Sequence, residues 1–412
     1  MRLFLLLAGS LVIPALFAQQ RPQTTDDRIA FYSKAVGAKP GSLREQNALA
    51  KAYVQKTRET VDFSYLERAS SIVEDILAHD GGNYDALRLR SEIGMERHEF
   101  SRVEEYSEEM SKLRPDDPWN WGTLGDASME LGKYPAAKAA YAKMAALRPD
   151  LSSYNRVAYY RFVTGDADGA IESMKAAISS ASATPENTAW CLADLGKMYF
   201  KVGKLQEAAD AFGQALKVFP NYYPAYAGLG SVQAARDRIA DAIDSYKHAQ
   251  ASVPMPEFAA ALQELYRRAG KPAESERQKQ LLDAIETMAR ASNEKTNRNL
   301  AIIYADQDRN LDRALELAQN EVQVRPDVYT YDALAWVLFK RKQYAVAQEA
   351  SSKALALNSP EPLFYYHAGM IANALGKAED AKKFLSKAMA LNPKFDLRQA
   401  EIARTALRKL ES

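Results

Sequence analysis

Residues 189–222 read AWCLADLGKMYFKVGKLQEAADAFGQALKVFPNY, and this stretch decides the fold. Leu192, Leu195, Gly196 and Tyr199 fall at the i, i+3, i+4 and i+7 spacing of one helix face. Gly203 then interrupts; glycine ends a helix by taking the left-handed conformation at little cost. Ala208, Phe212 and Ala215 mark a second face of the same period, and Pro220 stops it. The stretch is therefore a helix–turn–helix of 34 residues.

The same unit recurs outward in both directions. Prolines stand at 115, 149, 185, 220 and 254, then at 326, 360 and 393. The steps are 33 to 36 residues, and the interval of 72 from Pro254 to Pro326 is two steps with one proline missing. A period near 34 is the signature of stacked helical hairpins. Other copies keep the key residues. One has Trp121, Leu124-Gly125, Ala137 and Tyr141; another has Tyr226, Leu229-Gly230, Ala242 and Tyr246. Two more have Tyr331, Leu334-Ala335 and Ala347, and Tyr365, Ala368-Gly369, Ala381 and Leu385. Small residues such as Gly196, Gly230, Ala208 and Ala242 mark the close approach of two helices. Tyr199 and Phe212 fill the space between hairpins. Gly132, Gly165, Gly203, Gly270 and Gly376 end first helices.

This pattern of an aromatic or Leu, then Leu-Gly, Tyr, Ala, Phe and Pro resembles the tetratricopeptide repeat. Segments 118–125, 329–336 and 363–370 further resemble a group of secreted bacterial proteins of this kind that has no assigned activity. The resemblance implies an all-α, right-handed superhelical solenoid of about ten repeats. They are expected near 43–83, 84–117, 118–150, 151–188, 189–222, 223–255, 256–293, 294–327, 328–361 and 362–395. A helical segment or half repeat over 19–42 precedes them, and 396–412 reads as a charged capping helix. The copy at 294–327 carries one extra residue near Asp308–Leu311, and the first copy has a longer loop around Val61–Ser64.

The N-terminus carries a second signal. Arg2, the apolar stretch Leu3 to Phe17, and Ala18 before Gln19 are the parts of a secretory signal peptide over 1–18, with cleavage expected after Ala18. An uncleaved anchor is the competing reading, and the stretch is short for a membrane span. Export to the periplasm or medium is the expectation. Net charge is +1, which offers no basic excess for nucleic acid. The single cysteine, Cys191, excludes an internal disulfide and reads as a small buried hydrophobe.

Catalytic and metal motifs are weak. His79, His98, His248 and His367 form no paired ligand spacing. The Gly-Lys pairs at 132, 203, 270 and 376 lack the Ser or Thr of a phosphate-binding loop. Asp306, Asp308 and Asn310 imitate the start of a calcium loop, but Leu311 and Leu317 replace its Gly and Glu. Neither cofactor nor metal is expected, and no nucleophile–base constellation points to an enzyme.

The resemblance further implies that first helices line a concave groove. Carried over, the groove positions give Tyr159, Phe162, Trp190 and Phe200 towards the middle of the chain. Towards the end they give Tyr329, Asp332, Trp336, Phe339, Tyr366 and Met370, with Arg267, Arg268 and Arg298 between the two aromatic groups. Aromatics with Arg nearby are what interaction hot spots look like; the competing reading is that these rings only pack the wall. The expected function is an exported, non-enzymatic scaffold for a peptide or partner protein. The alternative is a structural subunit of a cell-envelope assembly that uses convex or terminal surfaces.

Overall fold

The computed structural model describes residues 24–180, 184–291 and 295–411; the leader expected at 1–18 and residues 19–23 lie outside them. Among the described residues every regular element is an α-helix, twenty-two in all. The chain divides into two compact units, 1–89 and 90–412.

In the first unit, α1 (Thr25–Ala38) is followed by the hairpin of α2 (Leu43–Thr60) and α3 (Ser64–His79). The hairpin buries Leu49 and Val54 on one helix and Leu66, Val73 and Ile76 on the other. Thr25 at the start of α1 donates to Glu59 (2.8 Å), and Lys56 pairs with Asp26 (2.7 Å). Helix α4 (Tyr84–Glu96) runs across the division between the units.

The second unit continues with α5 (Phe100–Leu113) and then hairpins. They are α6 (Pro118–Glu130) with α7 (Tyr134–Leu147), and α8 (Leu151–Val163) with α9 (Ala167–Ser179). Next come α10 (Pro185–Lys201) with α11 (Leu205–Val218), and α12 (Tyr223–Ala235) with α13 (Ile239–Ser252). These are followed by α14 (Pro256–Arg268) with α15 (Pro272–Ala291), and α16 (Arg298–Asp306) with α17 (Leu311–Val324). The last pairs are α18 (Val328–Lys340) with α19 (Tyr344–Ala354), and α20 (Pro362–Ala374) with α21 (Ala378–Leu391), before the single helix α22 (Gln399–Glu411). The array is a solenoid of helical hairpins.

Local chemistry sets the helix ends. Pro118, Pro185, Pro256 and Pro362 open first helices, where the missing N–H costs nothing. Asp150 and Ser153 cap α8 reciprocally, and Asp327 accepts from the Thr330 N–H of α18 at 2.7 Å. The turn inside each hairpin of the second unit uses a left-handed residue. Where glycine is absent, His98, Asp237, Asp308 and Lys342 take φ of 50° to 63° at that place. The extra residue of the 294–327 copy is accommodated by a second left-handed position, Asn310, at φ 47°.

Packing follows the small-to-large logic of the repeat. Phe212 on α11 is 1% exposed, and its ring sits where side chains at Gly196 and Gly228 would be. A Cβ at Gly196 would lie 2.6 Å from that ring and one at Gly228 2.3 Å from it. One ring thereby joins α10 to α12 across two repeats. Burying it contributes about 2–3 kcal/mol by area alone.

The second unit also closes on itself. The turns inside hairpins α6/α7, α8/α9 and α10/α11 abut the chain after α17, α19 and α21. The Tyr134 hydroxyl accepts from the Val328 N–H (3.0 Å). Ser359 Oγ donates to the Val163 carbonyl (2.5 Å), and Asn392 Nδ2 to the Phe200 carbonyl (2.7 Å). Gly132 faces the Pro326 carbonyl, Gly165 those of Leu357 and Asn358, and Gly203 that of Leu391. Lys201–Glu361, Arg325–Glu130 and Lys394–Asp237 ion pairs reinforce the seam. Apolar contact accompanies it, with Met129, Tyr141 and Val163 packed in one cluster with Val328 and Phe364.

Candidate binding cavity on the inner wall

The first helices of the second unit carry the side chains expected in a groove; some of these are packed and some stand at a cavity. A cavity of about 1040 Å³ is lined by the first helices α10, α12, α14, α16, α18 and α20, by Tyr246 of α13 and Ser275 and Lys279 of α15 on second helices, and by residues 394–402 with Arg404. Leu397 of the terminal segment packs against the cluster of Ala234, Ala242, Ile243, Leu262 and Leu265, and its carbonyl accepts from Arg268. Arg398 returns a hydrogen bond to the Asp306 carbonyl at 3.0 Å.

The side chains expected in the groove fall into three groups. Arg267, Arg268, Trp336, Tyr366 and Phe200 line the cavity. Trp336 and Tyr366 do so while only 2% exposed each, so they form its base. Arg267 and Arg268 stand at its edge and share the Glu264 carboxylate at 2.6 and 3.0 Å.

Tyr159, Phe162, Arg298 and Tyr329 belong to the packed group. Phe162 is 3% exposed. Arg298 pairs with Asp327 at 2.7 Å and lies over the Tyr329 ring. Lys201 sits 5.5 Å from both the Phe162 and the Tyr329 ring centres, and the Tyr329 hydroxyl donates to Glu361 at 2.7 Å. Burial pushes the Tyr159 and Tyr329 phenols well above their usual range. Burial, and then Asp327, pushes the Glu130 carboxyl of the same nest upward. Arg298, Tyr329, Lys201 and Glu130 find their partners within the chain, beside the seam.

Trp190, Asp332, Phe339 and Met370 lie elsewhere. Trp190 is 36% exposed on α10 and does not line the cavity. Phe339 stacks on Trp336 with centroids 4.8 Å apart, and Met370 packs against the same core. Asp332 is buried and accepts from His367 Nδ1 at 2.9 Å. His367 in turn stacks on Trp336 at 4.2 Å, and its Nε2 has no hydrogen-bond partner among the described residues. His367 thus holds a packing and hydrogen-bonding position beneath the cavity.

Asp306 at the base of the cavity is a shifted acid. Asp306 accepts from Trp336 Nε1 (2.7 Å) and from Gln399. Burial, reinforced by Asp396, pushes its carboxyl up to about 6 against the opposing pull of His367, the Trp336 hydrogen bond and Lys340. Cys191 lies away from the cavity and is buried, with its thiol pushed up to about 12 by burial, as an inert core cysteine should be. Among the described residues no cluster of His, Cys, Asp and Glu has the spacing of a metal site, and no helix is long and apolar enough to cross a membrane.

Phe395, Arg398, Gln399 and Arg404 of the terminal segment also line the cavity, and no groove position of the repeat points to them. Their local signal, a charged amphipathic helix after Pro393, describes a cap equally well. What places them at the cavity is contact with helices more than 90 residues away, such as Arg398 with Asp306 and Arg268 with Leu397.

Models of the tetratricopeptide repeat match residues 149–221, 193–254 and 363–395. Similar solved structures include the Cut9–Hcn1 hetero-tetramer of the APC/C. It is 15% identical over 94% of this chain and 84% of that one, with a TM-score of 0.42. A tetratricopeptide repeat protein from Parabacteroides merdae is 21% identical over 64% of this chain and 99% of that one, with a TM-score of 0.35. Yeast Tom70 is 13% identical over 94% and 93%, with a TM-score of 0.39. No curated protein matches the chain.

Proposed function

The chain belongs to the tetratricopeptide-repeat proteins, and from that premise we propose that it is an exported interaction scaffold that holds a segment of a partner protein in the inner-wall cavity. The observation that carries this reading is the cavity itself. Its volume of about 1040 Å³ is lined mainly by first helices and by the terminal segment after Pro393, with Trp336 and Tyr366 at the base and arginines at the edge. That combination of aromatic base and Arg rim suits a desolvated anchor side chain from a partner. Export rests on the leader expected at 1–18, and the chain acts by binding, with no catalytic role.

The test is affinity capture from native envelope extract with the mature chain as bait. Ala261→Trp serves as the comparison, because Ala261 lines the cavity and an indole there fills it. A partner retained by the wild type and lost by an equally helical Ala261→Trp chain supports the cavity. Equal retention moves the binding surface to the convex face or the array ends, and favours a structural subunit of an envelope assembly.

A further inference from the structure

Resting on that reading, we propose that the cavity selects an acidic segment of its partner, with carboxylates bound by Arg398 and Arg404 and apolar side chains seated on Phe395, Trp336 and Tyr366. Most cations of the lining are already neutralised within the chain. Lys394 pairs with Asp237 at 2.9 Å, and Lys340 with Asp308 at 2.8 Å. Arg309 pairs with Asp283, and Arg267 and Arg268 divide one carboxylate between them. Arg398 and Arg404 differ. Their guanidiniums donate only to main-chain carbonyls, those of Asp306 (3.0 Å) and Pro393 (3.1 Å), with no carboxylate in ion-pair range among the described residues.

Most acids of the lining are consumed internally; Glu401, largely exposed, only reaches Arg268 at 3.9 Å. Asp306 holds Trp336 and Gln399, Asp396 accepts the Arg398 and Gln399 N–H groups that open α22, and Glu257 holds Asn299. A guanidinium has five N–H donors in a planar fork that matches a carboxylate. Each of these two has most of its donors uncommitted at the mouth of a recess whose base is apolar and aromatic. Such a site favours an anion followed by an apolar side chain, and charge-assisted hydrogen bonds there are stronger than in open water.

The test is fluorescence anisotropy of the folded chain with rhodamine-labelled peptides of alternating Glu and Leu, Gln and Leu, or Lys and Leu. The Glu–Leu peptide is expected to bind about tenfold more tightly than the Gln–Leu peptide at low salt, a gap that closes at high salt. Arg398→Ala and Arg404→Ala are each expected to weaken the Glu–Leu peptide by about fivefold and to leave the Gln–Leu peptide unchanged. Ala261→Trp, or Ser275→Phe where the former fails to fold, should abolish both. Equal binding of Glu–Leu and Gln–Leu, with both lost on filling the cavity, overturns the acidic preference and leaves the cavity reading standing. Binding that survives the filling variants overturns both. Preference for Lys–Leu, failure of all three peptides to bind, or displacement of the Glu–Leu peptide by an equal concentration of single-stranded RNA overturns the acidic-segment proposal.

Discussion

Trp336 is 2% exposed, stacks on His367 and Phe339, and donates its Nε1–H to Asp306. Removing the indole leaves a void among these rings and takes one of two donors from a buried acid, so Trp336→Ala should lose about 3–5 kcal/mol in a denaturant-unfolding measurement. A loss below about 1 kcal/mol would mean that the ring is solvent-exposed after all. Asp306 makes a second prediction. Its carboxyl is pushed up from 3.8 to about 6 in the folded chain, so the folded state holds this proton more tightly than the unfolded state does. The contribution is therefore favourable below the unfolded value and is lost as pH rises from near 4 through 6. Asn keeps the acceptor for Trp336 and removes the titration. Asp306→Asn should match the wild type near pH 4 and exceed it by up to about 3 kcal/mol at neutral pH. A pH-independent difference between the two proteins would count against the shifted acid. The aromatic identity of position 336 was legible in the sequence. Its burial was not, because that depends on Tyr366, His367 and Phe395, which come from a later repeat and the terminal segment.

At the scale of the hairpin, the sequence is a close guide, because the forces are local. The spacing of Leu192, Leu195 and Tyr199 marked a buried face, and all three are buried. Gly196 marked a close approach, and Phe212 occupies the space in front of it. Neighbouring glycines can be told apart by what faces them. Gly213 lies within α11, and a Cβ added there would meet nothing within 4 Å, whereas one at Gly228 on α12 would meet the Phe212 ring at 2.3 Å. Gly213→Ala should therefore raise stability by about 0.5–1 kcal/mol through helix propensity. Gly228→Ala should lower it by about 1–3 kcal/mol through overpacking of the ring. Thermal unfolding of the two single variants checks both signs. If both were stabilising, Phe212 would not be the ring that joins α10 to α12.

At the scale of the second unit, the closure was not legible. Its hydrogen bonds join residues 192 to 196 apart, an interval between five and six repeat lengths. No motif with a period of 34 encodes it. The sequence does supply the material to test it, because five glycines share one backbone demand and differ in surroundings. Gly132, Gly165, Gly203, Gly270 and Gly376 all have φ between 67° and 92°. A Cβ at Gly132, Gly165 or Gly203 would lie 2.7, 3.1 or 2.8 Å from a carbonyl oxygen across the seam, while Gly270 and Gly376 face nothing within 4 Å. Alanine at Gly270 or Gly376 should cost only the left-handed backbone, about 1 kcal/mol. Alanine at Gly132, Gly165 or Gly203 carries that cost and must also push the seam apart. Hydrogen–deuterium exchange then separates the two effects. Gly132→Ala should speed exchange at the Val328 N–H, which rests on the Tyr134 hydroxyl, and Gly270→Ala should leave it unchanged. The Lys201–Glu361 pair sets the direction of a further consequence: Glu361 is 5% exposed, so an opened seam hydrates a carboxylate that the closed one holds between Lys201 and Tyr329. Opening is therefore opposed mainly by the apolar contact of Val163, Val328 and Phe364, since the buried pair regains much of its own cost in water. Equal exchange at Val328 in the Gly132→Ala and Gly270→Ala proteins would show that the two faces are not in contact in solution.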